Sequence, residues 1–136
     1  MSDSIVNDMN RLQRIGSELS GTNQKLKDAV VRTVNVLLDV IPEDLYNKEL
    51  GMGYSVVTLT PHVICLRKTA TWKQAYDIEI ARNEKGLSLS TAHAFARDVA
   101  DGFIRELCSQ LDRYHKVTVQ EVSTLGQAEI ALKAIR

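Results

Sequence analysis

Aromatic side chains make up only 5% of the 136 residues, and there are two cysteines and two prolines. Scarce aromatics argue against a base-stacking groove, because single-stranded nucleic-acid binders usually align several of them along a basic channel. Cys65 and Cys108 have no second cysteine or histidine at metal-ligand spacing, which excludes a zinc-ribbon pattern. Both fall at apolar positions of different expected elements and read as reduced core thiols. Surplus charge is missing too: 17 basic residues balance 17 acidic ones. The balance is local as well, with five basic against seven acidic residues in 1–45, six against four in 46–90 and six against six in 91–136. Without a basic stripe, the balance argues against a protein that lives on phosphate contacts without excluding one.

Long hydrophobic runs are also absent. The longest, "VNVLLDVI", is broken by Asp39 and is far too short to span a bilayer. The opening "MSDSIVNDMNRLQR" lacks the apolar centre of a secretory signal, and its acids disfavour a mitochondrial presequence. The expectation is a cytoplasmic protein without a membrane partner. At this length, 44% hydrophobic and 25% charged residues suit one globular domain able to bury roughly two thirds of its unfolded surface.

Residues 1–45 predict a helical hairpin. Ile5, Met9, Leu12 and Leu19 recur at helical spacing, and Ser20-Gly21-Thr22-Asn23 offers a stop followed by a fresh cap. A second helix over 24–41 carries Leu26, Val30, Val34, Leu37 and Ile41 on one stripe, ended with help from Pro42. Val31, Val36, Leu38 and Val40 widen its apolar surface beyond what one buried face needs, marking these four as a candidate oligomer interface. Ile5, Met9, Leu12, Gly16, Leu19, Asn23, Leu26 and Val30 also follow a heptad straight through the Ser-Gly-Thr break, with Gly16 and Asn23 as poor members.

After the glycines of "LGMGYS" the period changes to two. "YSVVTLT" and "HVICLRK" read as strands around Thr60-Pro61, and "AYDIEIAR" alternates, with Tyr76, Ile78 and Ile80 on one face. A turn at Asn83–Gly86 leads into "LSLS", completing a meander over 54–90. A helix from Ser90 or Thr91 to His115 follows, with Ala92, Phe95, Ala96, Val99, Phe103 and Leu107 inward and Arg97, Asp98, Asp101, Arg105 and Asp112 outward. "VTVQEV" at 117–122 reads as a fifth strand, and Thr124 to Gln127 as the capping box of a last helix. The fold class is therefore α+β: a four- or five-stranded, mainly antiparallel sheet packed against a long helix, with an N-terminal helical hairpin.

Candidate chemistry is scattered. "LRKTATWKQAYD" holds Arg67, Lys68, Trp72 and Lys73, a basic and aromatic tip that suggests a nucleic-acid or nucleotide ligand. Against this, Trp72 shares strand parity with Tyr76 and Ile78, which points its indole to the core edge. His93 and Arg97, with Asp101, form one helical ridge where an anion could be held, although charges four apart are routine on solvated faces. Glu106 falls at the margin of the apolar stripe, where burial without a partner would raise its pKa as a general acid or base requires. His62 and Cys65 stand three apart on a strand, hence on opposite faces. Gly51-Met52-Gly53 leads from helix to strand, the wrong order for a phosphate loop. No cofactor or metal is implied. Three functions follow: a non-catalytic binding or assembly protein working as a homo-oligomer or with a protein partner; a nucleic-acid or nucleotide binder using 67–73; or a small enzyme with a site near the 91–115 helix.

Overall fold

A computed structural model describes residues 2–60, 63–69, 76–79 and 87–135. Trp72, Lys73, His62, Ile80 and the turn at 83–86 lie outside the described residues. The element order is α1 (Ser2–Val40), a short 3-10 turn (Glu43–Leu45), β1 (Tyr54–Thr60), β2 (Val63–Lys68), β3 (Tyr76–Glu79), α2 (Leu89–Ala100) and α3 (Phe103–Ile135). No helix among the described residues is long and apolar enough to cross a membrane.

The α+β class holds, and five details of the sequence reading are corrected. The hairpin expected in residues 1–45 is one 39-residue helix. Ser20-Gly21-Thr22-Asn23 does not stop it, because each residue there costs only about 1 kcal/mol or less of helix propensity, and the Thr22 hydroxyl turns back to donate to the Glu18 carbonyl inside the helix. The sheet has three described strands, in the order β1-β2-β3, and not four or five. "VTVQEV" is helical and belongs to α3, with the Thr118 hydroxyl donating to the Tyr114 carbonyl. The alternating valines there are a helical face read at the wrong period. The long helix expected in the C-terminal half is present, as α3, but its bounds differ: α2 closes at Asp101, and Gly102 turns the chain at φ +108° before α3. Leu89 and Ser90 of the expected "LSLS" strand lie in α2, whose first turn is capped by the Ser88 hydroxyl accepting from the Thr91 N–H.

Both strand pairs are antiparallel, so the pleat sorts the sheet into rows. Tyr54 stands opposite Lys68 and Lys68 opposite Tyr76; Val56, Leu66 and Ile78 make the next row on the same face. This face packs on the helices through a core of Val30, Val34, Leu37, Leu38, Ile41, Leu50, Ala92, Phe95, Phe103 and Leu107. Four of the chain's seven aromatics gather here: the Tyr54 ring lies 4.2 Å from Phe103 and meets Phe95 and Tyr76 edge-on at 6.1 and 6.2 Å. The scarcity of aromatics thus coexists with one concentrated cluster, worth about 0.5–1.5 kcal/mol per well-placed pair beyond burial.

Candidate functional site

Alternation on β2 sends consecutive cations to opposite sides of the sheet. Arg67 points outward, where its Nε and Nη2 donate to the two carboxylate oxygens of Asp77 at 2.9 and 3.1 Å on the neighbouring strand. Lys68 points inward. Its ammonium lies 3.3 Å from Asp98 Oδ2 of α2, donates to the Met52 carbonyl and stands 4.6 Å from the Tyr54 ring centroid. The two cations therefore form no common patch, and each is already matched by a carboxylate.

Asp98 was expected on the solvated side of its helix, but three residues past Phe95 it reaches the edge of the core. There it organises a polar cluster that the sequence reading did not assemble. The Tyr54 hydroxyl donates to Asp98 Oδ2 at 2.6 Å and is also hydrogen-bonded to the Tyr76 hydroxyl, which lies 3.4 Å from the same carboxylate oxygen. The available signal was the helical spacing of Phe95 and Asp98 together with the inward parity of Tyr76 and Lys68. Burial, with Asp98 and Tyr76 alongside, pushes the Tyr54 phenol far above its ordinary range. Burial also pushes Tyr76 up to about 12, although its bond to Tyr54 pulls the other way. Both phenols stay protonated at neutral pH. The arrangement joins β1, β2, β3 and α2 through one carboxylate, as a clamp between sheet and helix.

The turn before β1 holds its own anion. Gly51, Met52 and Gly53 all have positive φ, and the N–H groups of Gly51 and Gly53 donate to Glu49 Oε1 at 3.2 and 2.8 Å. A backbone concavity of this kind attracts anions, and here the chain's own carboxylate fills it.

His93 and Arg97 are exposed on α2, and Asp101 is the exposed cap residue of that helix. Glu106 is exposed in the first turn of α3; its Cβ lies so close to Gly51 that a Cβ added there would stand 2.8 Å away. Cys65 is buried, whereas Cys108, expected as a core thiol, is exposed. No group of three metal-binding side chains occurs among the described residues.

The apolar candidates divide. Leu38 is only 4% exposed and belongs to the chain's own core, and Val31 is partly buried against it, while Val36 and Val40 face outward. Beyond the body the helices continue as arms. Ile5, Val6, Met9, Leu12, Ile15 and Leu19 of α1 are exposed, Leu12 at 61%. So are Val117, Val119, Val122, Leu125, Ile130, Leu132 and Ile135 of α3, with Leu125 at 65% and Ile135 at 82%. Past Gly16 and Asn23 the α1 stripe continues into Leu26, packed against the core, and Val30 and Val34, which lie in it. A shallow groove where α1 passes α2 is lined by Gly16, Leu19, Ser20, Asn23, Lys27 and Leu89.

No family model matches the chain, and neither do curated proteins or solved structures.

Proposed function

We propose that this chain is a non-catalytic assembly protein that works as a homo-oligomer through its apolar N-terminal helix. The observation that carries the reading is the row Ile5, Met9, Leu12 and Leu19, exposed at heptad spacing on a helix that extends well past the body it belongs to. An isolated helix gains no burial from such a row, and exposed apolar patches of this extent mark interaction surfaces. The half-buried polar cluster supports the same reading from the other side, because its hydroxyls, ammonium and carboxylate are spent on one another as a clamp between sheet and helix.

Light scattering on the full chain tests it. A particle mass that is a multiple of 15.2 kDa is expected, falling toward that of one chain when Leu12 and Leu19 are both changed to glutamate. A strict monomer across a wide concentration range, together with no partner in pull-down, would refute the proposal.

A further inference from the structure

The proposed self-association rests on α1 alone, but α3 carries a second seam of the same kind. From the core outward, Leu107, Leu111, Tyr114, Thr118, Glu121, Leu125, Ala128, Leu132 and Ile135 follow alternating steps of four and three. Leu107 is buried in the core and Leu111 packs against it; beyond Tyr114 the row is exposed. Both arms, residues 2–22 and 115–135, run about six turns, or roughly 31 Å.

They do not cover each other within the chain. The α1 arm leaves the body where Asn23 and Gln24 pass Leu89, whereas α3 leaves where the Tyr114 hydroxyl donates to the Glu49 carbonyl. Val6 and Ile15 flank the α1 seam and Val117 and Val122 flank that of α3, so each stripe is broad. At roughly 70 Å² of remaining apolar surface apiece, the eleven exposed seam and flanking side chains bring about 800 Å² per copy, the area of a standard protein–protein interface.

We propose that the α1 arm of one copy packs antiparallel on the α3 arm of a second copy, with Leu12 opposite Leu125, and that the second copy reciprocates. This inference rests on the assembly reading and adds its partner surface and register. In that register Ile5 faces Leu132, Met9 faces Ala128 and Leu19 faces Thr118. Gly16, which has open space where a side chain would be, faces Glu121, the one charged member of the α3 seam. The missing side chain leaves Glu121 a path to water. Of the flanking charges, Asp8 falls beside Thr124 and Ala131, and Glu129 beside Val6 and Gln13, so no like charges meet. Self-pairing fits worse. Two α3 arms in parallel would set Glu121 against Glu121 inside the seam, which is costly for an unpaired charge, and two parallel α1 arms would set Gly16 against Gly16 and leave a gap. The reciprocal arrangement is isologous and closes on a dimer.

Cysteine crosslinking reads the register directly. In a Cys108→Ser background, differently tagged Leu12→Cys and Leu125→Cys chains are mixed and oxidised, and a covalent pair containing both tags is expected. Ile5→Cys should likewise pair with Leu132→Cys and not with Leu125→Cys. Oligomers that crosslink only Leu12→Cys to itself would overturn the pairing while leaving assembly intact. A double Leu12→Cys, Leu125→Cys chain that closes on itself and runs as a crosslinked monomer would overturn it as well. A monomer by light scattering would remove both readings together.

Discussion

Changing Tyr54 to phenylalanine isolates what the hydroxyl contributes, because the ring contacts with Phe95 and Phe103 survive. Tyr54 makes two polar contacts through that one oxygen, a charge-assisted bond to Asp98 at 2.6 Å and the bond to the Tyr76 hydroxyl. Hydrogen bonds to a charged group contribute about 1.5–3 kcal/mol and neutral ones about 1 kcal/mol. Tyr54→Phe removes both and should cost about 3 kcal/mol, whereas Tyr76→Phe removes the neutral bond and a contact to Asp98 Oδ2 that at 3.4 Å adds little, and should cost about 1 kcal/mol. The double variant should also lose about 3 kcal/mol, not the sum of the singles, since each single change already breaks the bond between the two hydroxyls. Urea unfolding followed by far-UV dichroism at one fixed protein concentration measures all three. With a denaturant slope of about 2 kcal/mol per molar, Tyr54→Phe should move the midpoint by about 1.5 M. A Tyr76→Phe loss as large as that of Tyr54→Phe, or singles that simply add, would refute the idea that Tyr54 is the shared member of the cluster.

Two further outcomes follow from the same geometry. Gly53→Ala should cost several kcal/mol, because at φ +80° the new Cβ would run into the Thr69 carbonyl oxygen, while Gly102→Ala, at φ +108° with open space around it, should cost only about 1–2 kcal/mol of backbone strain; equal losses in thermal unfolding would contradict this. Because folding raises the phenol pKa values, the folded state binds protons that the unfolded state has released once pH passes the ordinary value of 10.0. The stability that this linkage contributes is thus fully present below pH 10 and is lost as pH rises through about 12, where Tyr76 ionises. Tyrosinate absorbance rising in full near pH 10, with the fold intact, would rule it out.

The sheet was legible in the sequence where the period of two was clean. "AYDIEIAR" placed Tyr76 and Ile78 on the buried side, and the observed row Leu66–Ile78 agrees. The helices were harder to bound, because local signals of stop and start are small beside what a long helix gains by continuing. Serine and glycine at 20 and 21 looked like punctuation, yet the heptad running through them was the better guide. At 117–122 the β-branched residues imitate a strand, since intrinsic β preference spans only about 1 kcal/mol and depends on a neighbour to pair with. The polar cluster stayed hidden for a different reason. Its members come from positions 54, 68, 76 and 98, and only the folded register brings them together. Asp98 in particular lies on the border between two faces of its helix, where a wheel cannot say which way a short acid turns.

The free length of α3 gives the C-terminal arm a property that none of its side chains suggests. Phe103 and Leu107 hold its first turns in the core, and the Tyr114 hydroxyl on the Glu49 carbonyl ties down the next; past that point residues 115–135 make roughly 31 Å of stiff rod. Leverage turns small angles at its root into large displacements: a bend of about 10° there carries Ile135 through roughly 5 Å, about half the spacing between two packed helices. A partner that seats Leu125 and Leu132 therefore also decides where the tip of α3 points.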